Sequence, residues 1–162
     1  MQGQDTLEKY GQSFQTKVIS SLLTDIRILD NLNEIINQKF FESDINKWIV
    51  SEIVDYYNDY RRIPTVDVFK VKVSEVDDRG FQKRIVDQLK TAYQQLDTSD
   101  LDYIKTEFSN FCINQNLKQA IFDSVDLLKA GNYDSIKDKI DKAMKIGVDS
   151  DLGHDYILDY ED

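Results

Sequence analysis

The sequence predicts an all-helical protein, and three observations carry that prediction. Turn residues are scarce: one proline, Pro64, and six glycines stand in 162 residues, with neither type between Gly80 and Gly131. An all-β chain needs Gly- or Pro-rich turns every ~8–12 residues. Apolar residues recur at three- and four-residue spacing along most of the chain, the period of one buried helix face. Residues that cap helices stand where those apolar runs begin.

The first helix is expected from about Gln12 to Thr24, where Phe14, Val18, Ile19, Leu22 and Leu23 share a face. A second segment holds Ile26, Ile28, Leu29, Leu32, Ile35 and Ile36 and is expected to end near Asn37 to Phe41. Asp44 is placed to cap a third helix with the stripe Trp48, Ile49, Ile53, Val54 and Tyr57. Pro64 stops it, because the residue before a proline is pushed out of the helical region. Thr65 follows as the cap of a helix to about Val76. The run Val68 to Val73 also alternates like a strand, but a lone strand has nothing to pair with, so the helix is preferred. Asp78 to Leu96 reads as a fifth helix. Thr98, Ser99 and Asp100 then restart a long helix toward Lys129. Gly131 and Asn132 supply a turn, and a last helix opened by Asp134 or Ser135 is expected to end at Gly147.

These last two helices form an antiparallel hairpin, since the turn between them is short. Leu117, Ile121, Val125 and Leu128 lie on one stripe of the outgoing helix, and Ile136, Ile140, Ala143 and Met144 on one of the returning helix. Phe122 and Leu127 fall outside the first stripe. The hairpin therefore carries more apolar surface than two helices bury between them, and either residues 12–96 or a partner covers the excess. The expected organisation is a helical globule over 1–114, a hairpin for subunit pairing over 115–147 and an acidic linker over 148–162.

Charge narrows the function. The chain carries −10, but six acids and no Lys or Arg between Gly147 and Asp162 leave residues 1–146 with 24 acids against 20 bases. A near-neutral body with an acidic end is a poor polyanion binder, because nucleic-acid affinity comes largely from neutralised phosphates. No stretch approaches 18 consecutive apolar residues, and the opening residues are polar, so neither a membrane span nor a signal peptide is expected. A single cysteine, Cys112, fits a reducing compartment, and a cytoplasmic location follows, the host cytoplasm if the chain is phage-encoded. No glycine has the spacing of a phosphate loop or a dinucleotide fold. With one His (His154) and one Cys, triads and zinc sites built from these residues are impossible. Asp149-x-Asp151-x-Gly153 resembles the start of a calcium loop, but its glycine comes one position early and Tyr160 stands where the bidentate Glu belongs. No catalytic residue, cofactor site or metal site is expected in this chain.

Five pieces, in order, resemble the N-terminal region of phage replicative helicases of the DnaB-like group, the T-even type in particular. The run from Tyr10 to Asp25, closing on Leu22-Leu23-x-Asp25, is similar to their first helix. Phe40-Phe41-Glu42-Ser43 resembles the element before their third. Tyr57 and Tyr60, followed by Ile63-Pro64-Thr65 and Phe69, are similar to a further element. The run Leu128 to Asp134 resembles their hairpin turn, and Asp151 to Tyr156 the segment before their ATPase domain. The resemblance spans essentially the whole sequence, yet the RecA-like motor is missing, as if the chain were cut where the motor begins. It implies a collar that pairs hairpins into dimers and a trimer of dimers, and that receives primase and a helicase loader within a primosome. The interface would use Leu117, Ile121, Phe122, Val125, Leu128, Ile136, Ile140 and Met144. Leu152, Tyr156, Ile157 and Tyr160 would form a docking segment, or else a disordered acidic end. ATP, magnesium and DNA would belong to the absent motor. The alternative is a free-standing helical adaptor, such as a loader or scaffold.

Overall fold

The computed structural model describes residues 5–96 and 99–161, with side chains through residue 147. These residues form seven α-helices and no strand: α1 Gln12–Thr24, α2 Ile26–Leu32, α3 Asp44–Tyr60, α4 Val66–Ser74, α5 Arg79–Gln94, α6 Leu101–Lys129 and α7 Tyr133–Glu161. Short 3-10 turns stand at Leu7–Tyr10 and Gln38–Phe40. The chain divides into two compact units. One is Thr6–Phe108; the other takes in Asp5 and the residues from Ser109 onward, so the division falls inside α6.

In the first unit α1, α3 and α5 pack pairwise against one another. Leu7, Ile19, Leu22, Leu29, Ile49, Ile53 and Ile85 are fully buried, each stabilising the fold by about 1.5–3 kcal/mol. Helix α1 is surrounded, and its polar side is buried too, through Gln15, Thr16, Ser20 and Ser21. Those groups are satisfied from distant elements. Gln15 Nε2 donates to Glu42 Oε1 at 2.7 Å, while its Oε1 accepts from the Glu42 backbone N–H at 3.1 Å. Gln88 Nε2 donates to Thr16 Oγ1 at 3.0 Å and to Asn46 Oδ1 at 2.9 Å. The Ser20 hydroxyl donates to the Ala92 carbonyl at 2.7 Å. Burial of polar side chains requires such partners.

Helix ends are chemically specified. Asp25 ends α1 and caps α2, its carboxylate accepting from the Arg27 backbone N–H at 3.1 Å. The same carboxylate accepts from Arg27 Nε and Nη2 at 2.9 and 2.8 Å and pairs with Lys105 Nζ at 3.2 Å. The hydrogen bonds from Arg27 lead in holding its pKa down to about 2, with Lys105 adding to them against the opposing effect of burial. Thr65 caps α4 as the sequence predicts. At the end of α3, Arg61 takes the left-handed conformation with φ of 56°. Its guanidinium lies 5.2 Å from the centre of the Tyr57 ring, whose hydroxyl donates to Asp30.

Four expectations are corrected. Helix α2 stops at Leu32 and the chain leaves it through a turn over 33–35, where the Asn33 side-chain amide donates to Asn58 Oδ1 on α3 at 2.8 Å; Ile36, Phe40 and Phe41 reach the core from beyond that turn instead. Ser43 rather than Asp44 caps α3, its hydroxyl accepting from the Asn46 N–H at 3.0 Å. Asn132 opens α7, its side chain accepting from the Ser135 N–H, so the helix begins at Tyr133. Finally, α7 does not end at Gly147 but runs to Glu161. Gly147 is buried, and a Cβ added there would sit 3.3 Å from Ile113 Cγ2. Its missing side chain serves a close approach between helices rather than a helix end, which offsets its poor helix propensity.

Candidate functional site

The second unit is built around the α6–α7 hairpin. The turn follows from Gly131, whose φ of 73° suits a residue without Cβ. Its N–H donates to the Leu128 carbonyl at 3.0 Å and that of Asn132 to the Leu127 carbonyl at 2.9 Å, the paired bonds of a Schellman motif. Two pairs then fix the return path. Lys139 Nζ lies 3.8 Å from Asp123 Oδ2, and Gly147 lies against Ile113. Both pairs straddle the turn almost symmetrically, so α7 runs back antiparallel along α6.

Small residues occupy the closed side of the hairpin. Ala120, Ala143 and Gly147 are buried, with Ile113, Leu127, Ile136 and Ile140 half-buried. One-residue steps turn a helix by about 100°, so Ile121 and Phe122 are carried away from the side that Ala120 occupies. Large apolar groups consequently stand in solvent: Ile121 is 60% exposed, Leu128 59%, Met144 52%, Val125 48% and Phe122 40%. Their spacing makes Ile121, Val125 and Leu128 one continuous stripe, which half-buried Leu117 extends. Sequence periodicity finds this stripe. It misses Ala120 and Leu127, because alanine gives a weak apolar signal and Leu127 reads as an outlier.

The interface residues predicted from sequence therefore fall into two groups. Ile121, Phe122, Val125, Leu128 and Met144 are exposed, whereas Leu117, Ile136 and Ile140 are half-buried. The side chains of Leu152, Tyr156, Ile157 and Tyr160 lie outside the described ones. Charged groups of the same unit are paired on its surface: Lys137 with Asp141 at 2.7 Å, and Lys118 with Asp5 at 3.0 Å. Gln115 is buried and its carbonyl accepts from the Asp5 N–H at 3.1 Å.

The single thiol and the carboxylates of the described residues can be placed one by one. Burial pushes the Cys112 thiol far above its ordinary pKa, the opposite of what a nucleophile needs. No group of three or more His, Cys, Asp or Glu side chains among the described residues is arranged to hold a metal ion. No described helix is long and apolar enough to cross a membrane. No family model, curated protein or solved structure matches the chain. The argument from here rests on the hairpin and its exposed stripe.

Proposed function

We propose that this chain is the N-terminal collar region of a DnaB-like replicative DNA helicase of the T-even phage type, acting in subunit assembly and primase docking during DNA replication. The single observation that carries the reading is the continuous exposed stripe Ile121, Val125 and Leu128 on a hairpin closed by small residues. A contiguous apolar patch on a polar rim is the composition of an interaction surface. The order of the five sequence pieces, from Tyr10–Asp25 to Asp151–Tyr156, supports the family. Self-pairing of hairpins about a two-fold axis uses the same patch twice, which a self-complementary apolar stripe allows. In this reading ATP and magnesium act in a motor domain, since this chain's own glycines build no phosphate loop.

The test is Val125→Asp. It places an uncompensated charge in the stripe, costing about 2–5 kcal/mol of association if the stripe is an interface. Sedimentation of the unmodified chain should give a dimer or a higher species, and the variant a monomer whose circular dichroism is unchanged. A monomeric parent at high concentration removes the pairing on which the reading rests. Loss of helical signal in the variant instead assigns Val125 to the fold.

A further inference from the structure

Helix α5 departs from the charge balance of the molecule. Its residues Arg79–Gln94 include Arg79, Lys83, Arg84 and Lys90 but one acid, Asp87, in a chain with 30 acids and 20 bases. The opposite face is anchored in the core by Ile85, Leu89 and Ala92. Arg79, Lys83, Val86, Asp87 and Lys90 are all exposed and recur at helical spacing along one side. Asp87 is engaged by Lys83 at 3.3 Å. Neighbouring like charges such as Arg79 and Lys83 at four-residue spacing cost helix stability rather than add to it. Asp78 caps the helix, its carboxylate accepting from the Phe81 N–H at 3.1 Å, so the N-terminus has its acid and the bases beyond it are in excess of what the helix end calls for. Helix formation does not account for this pattern, and an anionic partner does.

We propose that the basic face of α5 docks the acidic C-terminal segment, residues 149–162, of a second copy of this chain. Charge complementarity selects that occupant. The segment carries Asp149, Asp151, Asp155, Asp159, Glu161 and Asp162 with no base. Its backbone continues α7 as far as Glu161, and Asp151, Asp155 and Asp159 follow one another at four-residue spacing. The basic positions Arg79, Lys83 and Lys90 span roughly 16 Å of helix and those three acids roughly 12 Å, so the acidic row fits within the length of the basic one. Exposed Val86 lies among the bases, as Leu152, Tyr156 and Ile157 lie among the acids. Nucleic acid suits the face less well, because the chain as a whole repels a polyanion. The contact is electrostatic and exposed, hence weak alone and effective where copies are already held together.

A spin label on Ser150→Cys in an unlabelled chain, mixed with a nitrogen-15-labelled chain, tests this directly. Cys112 is buried and does not compete for the label. The expected result is broadening of the α5 amides around Arg79, Lys83 and Lys90 in the mixed sample. It should disappear at ~0.5 M salt and in a nitrogen-15 chain carrying Lys83→Glu and Lys90→Glu. Both positions are exposed; should that variant misfold, a labelled donor with Asp151→Asn, Asp155→Asn and Asp159→Asn gives the same loss. Broadening that spares α5, that survives charge reversal, or that arises only when label and isotope share one chain overturns the proposal. So does a single-stranded oligonucleotide shifting the α5 amides while the spin label leaves them unchanged. Hairpin pairing would strengthen this contact without being required for it at the high concentration of the mixed sample, and the failure of pairing reads out separately, as mass in the Val125→Asp experiment.

Discussion

At the scale of single residues, the sharpest electrostatic feature is the Asp25 carboxylate, which caps α2 and accepts from Arg27 and Lys105 together. Its folded-state pKa of about 2 lies below the ordinary 3.8. A depressed carboxylate pKa adds stability above the unfolded value and loses it as pH falls through the folded one. With Arg27 largely exposed, the contribution is about 1–2 kcal/mol. Asp25→Asn keeps a good cap through its remaining oxygen but puts an amide N–H where Oδ2 accepts from Arg27 Nη2 and pairs with Lys105. Urea unfolding should find it less stable by at least that amount at neutral pH, with the difference from the parent narrowing between pH 4 and pH 2. Asp25 is legible in the sequence as the end of one helix and the start of another. Its partner Lys105 is not, since nothing local links the two positions. The buried polar centre is illegible for the same reason. Gln15, Thr16 and Ser20 look like the wet side of an amphipathic helix, and only Glu42, Gln88 and Ala92, remote in sequence, make their burial possible.

At the scale of elements, the sequence places α1, α5 and α6 closely because each has a periodic apolar face and a recognisable boundary, and α4 through its Pro64-Thr65 start alone, its valines alternating as a strand's would. It fails where one residue type has two uses. Glycine ends helices and also permits close approach; Gly131 does the first and Gly147 the second. A double-mutant cycle separates these uses. Gly147→Ala gains about 1 kcal/mol of helix propensity but pushes a methyl toward Ile113. In an Ile113→Ala background, where that crowding is relieved, the same change should stabilise the hairpin by about 1 kcal/mol more than it does in the parent. Equal effects in the two backgrounds would mean that Gly147 does not govern the spacing of α6 and α7. The stripe Ile121, Val125 and Leu128 was legible as a stripe. Which way it points was not, because its direction is set by where alanine and glycine fall on the neighbouring face.

At the scale of the whole molecule, the two units have unlike sources of stability. Thr6–Phe108 has a deep core of fully buried Leu, Ile and Phe with satisfied polar groups at its centre. The hairpin closes on Ala120, Ala143 and Gly147, side chains that remove little apolar area from water. Its half-buried groups Ile113, Leu127, Ile136 and Ile140 contribute in part, and the exposed stripe Ile121, Val125 and Leu128 contributes fully only once something covers it. If a second copy is what covers it, as proposed above, mass action couples the persistence of the hairpin to the amount of protein present. Calorimetry over a hundredfold dilution series should resolve two transitions. One midpoint, from the globule, should stay fixed. The other should climb with concentration if the hairpin pairs with a second copy, and the short side chains of the seam would then make the hairpin a sensor of its own abundance.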